Sequence, residues 1–153
     1  MPITNKILEY LEIYLTYKTK KANISDLPIL VALSYNMTEE ERDEKDDFIE
    51  LIQKQRVHLL YLENKPIGYY TIVSVDRGEY LETILIDKKY QGTNAVYKLC
   101  EYAVKPENGK PLWGLSRHRR VDILLKKFGF EPKEYETIKG VSYRWWVNRF
   151  QSQ

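Results

Sequence analysis

The chain has 153 residues and a mass of 18.3 kDa, the size of one domain, and can bury about two-thirds of its extended surface without a disulfide or metal staple. Hydrophobic residues at 43% and aromatics at 13% exclude a disordered chain, and one cysteine with two histidines excludes a disulfide framework, a Cys-based zinc site and a His-rich metal centre. The formal charge, 24 Lys+Arg against 22 Asp+Glu, is +2, too small to imply a nucleic-acid partner by itself.

The opening Met-Pro-Ile-Thr-Asn-Lys lacks an apolar signal core, and the longest apolar run, Leu27 to Leu33, is interrupted by Pro28 and too short to span a membrane. A soluble cytoplasmic protein without membrane contact is expected. No repeat or low-complexity linker divides it, so residues 1–153 are expected to form one domain, with 1–22 an N-terminal extension or first strand. Thr4 to Thr19 fits two patterns: Ile7, Leu8, Leu11 and Leu15 make a helix face, while Leu11, Ile13, Leu15 and Tyr17 alternate as a strand does. A helix passing into a strand is the preferred reading.

Ser25 or Asp26 can cap a helix that carries Pro28 in its first turn and runs to about Tyr35. Thr38 and Glu41 have capping-box spacing, so a second helix is expected to start at Thr38, with Phe48, Leu51 and Ile52 as its buried stripe. Thr38 to Glu50 holds eight acids against two bases, a net of −6, which leaves +8 on the rest of the chain. Such a run is either a solvated helix face or a flap that recruits a basic partner. Val57–Leu62, Ile67–Val75 and Tyr80–Ile86 read as a three-strand meander, with turns at Glu63-Asn64-Lys65-Pro66 and Asp76-Arg77-Gly78-Glu79. Val57–Leu62 is apolar on both faces, as a central strand is.

Thr93–Val104 is expected to be helical, with Val96, Leu99, Cys100 and Ala103 inward. A break at Pro106–Pro111, a short strand Leu112–Leu115 and a helix Arg119–Phe128 follow. Val121, Leu124, Leu125 and Phe128 fall at core spacing, and Gly129 is the stop. Phe130–Thr137 and Val141–Val147 form a closing hairpin around Lys139-Gly140. The pattern is α+β. Because a helix crosses between them, Tyr80–Ile86 and Leu112–Leu115 are expected to be parallel.

The stretch most informative about chemistry is the strand ending at Ile86, the loop Asp87-Lys88-Lys89-Tyr90-Gln91-Gly92-Thr93-Asn94 and the helix after it. A turn feeding a helix N-terminus presents unsatisfied backbone N–H groups and the positive dipole end, which suits a phosphate or pyrophosphate. Gly92 permits close backbone approach. An ordinary strand-to-helix turn is the alternative.

Ile86 to Ala95 resembles the acyl-coenzyme A loop of the GNAT (Gcn5-related) N-acetyltransferases, Val-x-Pro-x-Tyr-Arg/Gln-Gly-x-Gly-x-Gly/Ala, in degenerate form: Gln91 and Gly92 match, Asn94 replaces a glycine and Val96 a small residue. Ile24–Leu30 is similar to the segment opening the family's first helix, Glu63–Tyr69 to the turn between its second and third strands, and Leu124–Glu131 to the end of its fourth helix. The resemblance covers about 24–147. It implies a mixed, mostly antiparallel twisted sheet flanked by helices and splayed between the fourth and fifth strands. It implies acetyl-CoA as co-substrate, no metal, and an amine acceptor, small molecule or protein.

The resemblance also places candidate residues. Backbone N–H groups at Leu85 and Ile86 would polarise the thioester carbonyl, and Gln91, Gly92, Thr93, Asn94 and Ala95 would hold the coenzyme. His118 stands where an Asn often follows the fifth strand, and is a further cofactor-binding candidate. The usual Tyr general acid falls at Leu125, which has no proton to give. Glu82 is the candidate general base if it lies in a partly dry cleft that raises its pKa; a solvent-facing strand Glu is the alternative. His118 could also carry a proton; a merely polar residue among Arg117, Arg119 and Arg120 is the alternative. Those arginines, with Lys126 and Lys127, suit the coenzyme's 3′-phosphate, a nucleic acid, or simply solvent. Cys100 and His58 read as core residues. Tyr143, Trp145 and Trp146 could floor a substrate cleft.

The function expected is therefore an acetyl-CoA-dependent N-acyltransferase acting on an amine. The alternative is a catalytically degenerate GNAT-like binding or structural protein, of a kind encoded by tailed phages. A nucleic-acid-modifying enzyme on the same fold is the weaker third. Monomer and homodimer both stay open.

Overall fold

The computed structural model describes residues 16–105 and 110–149. In chain order these form β1 (Tyr17–Lys21), α1 (Leu27–Ser34), α2 (Lys45–Gln53), β2 (Val57–Leu62), β3 (Lys65–Val75), β4 (Gly78–Ile86), α3 (Ala95–Ala103), β5 (Leu112–Ser116), α4 (Arg119–Lys127), β6 (Glu131–Ile138) and β7 (Val141–Asn148). The strands make one seven-stranded sheet in the order β1-β2-β3-β4-β5-β7-β6. β1 with β2, β2 with β3, β5 with β7 and β6 with β7 are antiparallel. β4 and β5 are parallel, registered at Glu79–Leu112 and Tyr80–Trp113, near the start of each strand. This is the mixed, mostly antiparallel sheet expected, with its parallel pair where the helical crossover requires one. The described residues group into two compact units: those up to Thr71 with Thr83–Tyr102, and Ile72–Glu82 with those from Ala103 onward.

In the first unit β2 is the buried centre. Val57, His58, Leu59 and Leu60 are all buried, because β1 and β3 cover both edges and helices pack over its faces. His58 lies flat on Tyr70, with ring centroids 4.7 Å apart. Leu30 and Leu33 of α1, Phe48, Leu51 and Ile52 of α2, and Ala95, Leu99 and Cys100 of α3 complete the core. The stripe of α3 thus begins one residue before the position expected, and Val96 is half-buried.

Three local readings are corrected. The second helix starts at Lys45, not Thr38; residues 38–41 form a turn closed by Glu41 N–H to Thr38 O. The start is fixed by Glu44 and Asp47, whose carboxylate accepts the Glu44 N–H at 3.0 Å. The first helix is preceded by a 3-10 turn, Ile24–Asp26, capped by Asn23. There the Ser25 N–H donates to Asn23 Oδ1 at 3.0 Å and the Asn23 N–H to Asp26 Oδ2 at 2.9 Å, while Lys20 pairs with Asp26 at 3.2 Å. The first hairpin turns on Glu63-Asn64 alone, so Lys65 and Pro66 belong to β3. The strand at Tyr17 is present; the helix expected on Ile7, Leu8, Leu11 and Leu15 lies outside the described residues.

In the second unit α4 packs on one face of β5 and β7. Leu125 fills the space over Gly114, 3.1 Å from where a Cβ would stand. The Trp146 Nε1–H donates to Ser116 Oγ at 2.8 Å, and Asn148 Nδ2 donates to the Phe128 carbonyl at 2.8 Å. The helix ends as expected at Gly129: Gly129 N–H bonds Lys126 O and Phe130 N–H bonds Leu125 O, the paired bonds that satisfy a helix C-terminus. On the other face Tyr80 and Trp113 both meet Trp145 edge-on. The Arg77 guanidinium sits 4.5 Å from the Trp145 ring centroid and 5.1 Å from that of Trp113, and pairs with Glu134.

Candidate functional site

The segment from Leu85 to Ala95 lies wholly in the first unit. Leu85 and Ile86 end β4 and are buried. Gly68 of β3 sits so close beneath them that a Cβ there would stand 2.4 Å from the Leu85 carbonyl oxygen. Only glycine permits that approach. The chain then turns through a single 3-10 turn, Lys88–Tyr90, capped by Asp87, whose Oδ1 accepts the Lys89 N–H at 3.1 Å.

Three tethers hold the turn. The Asp87 N–H donates to Ile67 O on β3 at 2.8 Å. Gln91 Nε2 donates to Ile86 O on β4 at 3.1 Å. The Lys88 N–H donates to Asn36 Oδ1, just beyond α1, at 3.0 Å. Gln91, chosen from the sequence as a coenzyme contact, thus has its side-chain amide on the protein's own backbone. Asn36 was not anticipated. Its distance in sequence hides it, and no local pattern announces a residue whose partner is a backbone N–H 52 positions away.

After the turn Gly92 adopts φ +85 with nothing within 4 Å of the position a Cβ would take. The left-handed backbone explains the glycine, and the open space is where a ligand can approach. Thr93 closes the loop, its hydroxyl donating to Tyr90 O and accepting the Ala95 N–H at 3.2 Å. The first bond of α3 is Lys98 N–H to Asn94 O, so the amides ahead of it, Val96's among them, precede the helical ladder. Among the described residues the Gly92 N–H has no acceptor. The exposed Gln91, Gly92 and Asn94 surround these donors, while Ala95 is fully buried and contributes backbone alone. The Gly92 and Val96 N–H groups at this helix start are the donors an approaching anion could meet.

The other candidates lie in the second unit. Glu82 is exposed, the solvent-facing of its two anticipated settings. His118, Arg117, Arg119 and Arg120 are all exposed at the start of α4. Leu125 is buried and used for packing. Trp145 and Trp146 face opposite sides of β7, as consecutive strand residues must. A common floor with Tyr143 is therefore corrected: Trp146 is engaged by Ser116. Burial, and to a smaller extent the charges of Glu82 and Tyr143, pushes the Tyr80 phenol up to about 12. Burial likewise holds the Cys100 thiol at about 12, so it is a core residue and no nucleophile. Among the described residues no group of three His, Cys, Asp or Glu is placed to hold a metal, and no helix is long and apolar enough to cross a membrane.

No family model and no curated protein matches the sequence. Solved structures do. An acetyltransferase of the GNAT family from Bacillus cereus superposes with a TM-score of 0.74 over 90% of this chain and 99% of its own, at 13% identity. The chain has the GNAT fold. Arabidopsis thaliana Naa50, in complex with a bisubstrate analogue, gives a TM-score of 0.67 at 16% identity over 88% of this chain and 99% of its own. A putative streptothricin acetyltransferase from Bacillus anthracis, in complex with acetyl coenzyme A, gives 0.70 at 15% identity over 89% and 99%. At these identities the likeness concerns the backbone; within the GNAT fold, the loop after β4 and the glycine under Leu85 are features this sequence supplies itself.

Proposed function

We propose that the chain binds acetyl-CoA through the loop after β4 and transfers its acetyl group to an amine. The observation that carries this reading is the loop itself. Gly92 stands open at φ +85 beside its own unaccepted N–H and the amides that precede α3, in a fold shared with a structure crystallised with acetyl coenzyme A. The Gly92 and Val96 N–H groups are the backbone donors proposed to meet the pyrophosphate.

The chemistry is aminolysis of a thioester. The neutral amine attacks the carbonyl carbon, a C–N bond forms, the C–S bond breaks, the amine proton passes to a base and the thiolate takes a proton from water. Backbone N–H groups at Leu85 and Ile86 are the proposed donors to the carbonyl oxygen. Glu82, exposed and not in a dry cleft, is the proposed base as a solvent-facing carboxylate. Leu125 removes the usual acid, and a general acid typically contributes about 10²–10⁴-fold, so turnover is expected to be slow.

Leu125 also favours a second reading, a binding module that retains the coenzyme loop without catalysis. Titration with acetyl-CoA in a calorimeter, followed by thiol release with a panel of amines for wild type and Glu82→Gln, separates the two. Heat and turnover that falls at least tenfold in Glu82→Gln support the enzyme. Heat without turnover supports the module, and absence of heat removes both.

A further inference from the structure

The acyl-CoA loop pattern carries a proline at the position occupied here by Lys88. Proline has no N–H and locks φ near −65°, so it stiffens the start of the turn through its covalent structure. Lys88 gives up that restraint and gains a donor, and the donor is used: it bonds to Asn36 Oδ1 at 3.0 Å. We propose that the Asn36–Lys88 bond replaces this proline and makes Asn36 a positioning residue for coenzyme binding; the inference rests on the coenzyme reading of the loop.

Asn36 is held for the task. Its own N–H and its Nδ2 both donate to the Leu33 carbonyl, at 3.0 and 2.9 Å, one of the carbonyls left without a helical partner where α1 ends. With the amide nitrogen committed there, Oδ1 is fixed toward Lys88, and a flipped amide would lose both bonds. The restraint passes along the turn. Lys88 O accepts the Gln91 N–H at 3.3 Å, and Gly92 with its free N–H follows directly. The Lys88 N–H is therefore the point where the C-terminal end of α1 grips the loop. The backbone also admits a proline: Asp87 has ψ 136, away from the α region that a following proline disfavours, and Lys88 opens a 3-10 turn, where φ lies between about −50° and −70°.

Two exchanges test this. Asn36→Leu keeps the size and removes the acceptor. It is expected to weaken acetyl-CoA binding about 3- to 10-fold in calorimetry, the order of one hydrogen bond whose ordering must now accompany binding, and to speed hydrogen exchange of the Lys89 to Gly92 amides. Asn36→Asp retains the acceptor and is expected to keep most of the affinity. Lys88→Pro restores the covalent restraint and is expected to bind at least as well as wild type, and in its background Asn36→Leu should cost less than twofold. A merely structural Asn36 would weaken binding equally with or without the proline, and that result overturns the proposal. So does an Asn36→Leu variant that binds like wild type. If wild type itself gives no heat, it is the coenzyme reading that has failed. Exchange of the loop amides then decides alone whether Asn36 holds the loop, and unchanged exchange in Asn36→Leu overturns that too.

Discussion

At the scale of single residues, two positions carry constraints that nothing nearby can relax. Gly68 faces the Leu85 carbonyl oxygen and the Ile86 side chain, with a Cβ position 2.4 and 2.8 Å from them. Backbone has no rotamer with which to yield. Gly68→Ala is expected to cost about 1–3 kcal/mol, the usual penalty of overpacking, read as a shift of the denaturation midpoint, and to disturb the end of β4 on which the loop is mounted. Asp43 is constrained by charge. Desolvation raises its pKa, the Tyr69 hydroxyl at 3.3 Å lowers it, and Asp47 raises it again, with a net rise. A carboxyl whose pKa is higher folded than unfolded stays protonated longer in the native state, so stability falls as pH climbs through the interval between the two values. Asp43→Asn removes that titration. It is expected to be at least as stable as wild type at pH 7, and its advantage over wild type should shrink on acidification to about pH 4, as Asp43 takes up its proton. Denaturant melts of both proteins across that range check the sign. Neither constraint was readable in advance. Gly68 appeared in the sequence only as a glycine after an isoleucine, and the partner that makes it necessary is 17 residues away; Asp43 was one acid of eight in an apparently uniform run.

At the scale of elements, the strands and the last two helices were legible because their hydrophobic periods are clean and their stops are strong. β2 reads as buried on both faces and is. Lys139-Gly140 turns the last hairpin, and Gly129 ends α4 with both expected bonds. The start of α2 was misplaced because the acidic run contains two capping-box patterns, six residues apart. Thr38 and Glu41 have the better cap chemistry. Glu44 and Asp47 stand directly before Phe48, whose burial, with that of Leu51 and Ile52, fixes where the helix has to lie. Packing decided between two local signals of similar strength. Asp47→Ala is accordingly expected to cost about 1 kcal/mol, and Thr38→Ala less than about 0.5 kcal/mol, the range of surface substitutions; chemical denaturation of the two variants measures the difference, and the reverse order would put the helix start back at Thr38. The candidate site shows the same division. The loop was legible as a strand–turn–helix with a matching Gln-Gly, whereas its tether to Asn36 was not, since a side chain accepting a distant backbone N–H leaves no periodic trace.

At the scale of the whole molecule, anything that binds the native state and not the unfolded chain raises stability by RT ln(1 + [L]/Kd), about 2.7 kcal/mol at a hundredfold excess over Kd. For a chain of this length each kcal/mol moves the melting temperature by about 2–4 °C. Acetyl-CoA at that excess is therefore expected to raise the melting temperature by roughly 5–10 °C. The control has to remove binding and leave folding alone, and Gly92 provides it. The space around its absent Cβ is open and its φ is +85, a conformation that Asn and Asp tolerate better than other side chains. Gly92→Asn and Gly92→Asp then differ by little more than one negative charge placed among the loop amides. Both should melt near the wild type without ligand. With acetyl-CoA, Gly92→Asn should retain most of the shift and Gly92→Asp should lose it, because a carboxylate competes with the pyrophosphate for the same donors. Undiminished shifts in both variants would place the ligand away from this loop. No shift in the wild type at millimolar acetyl-CoA would end the coenzyme reading, whatever the fold.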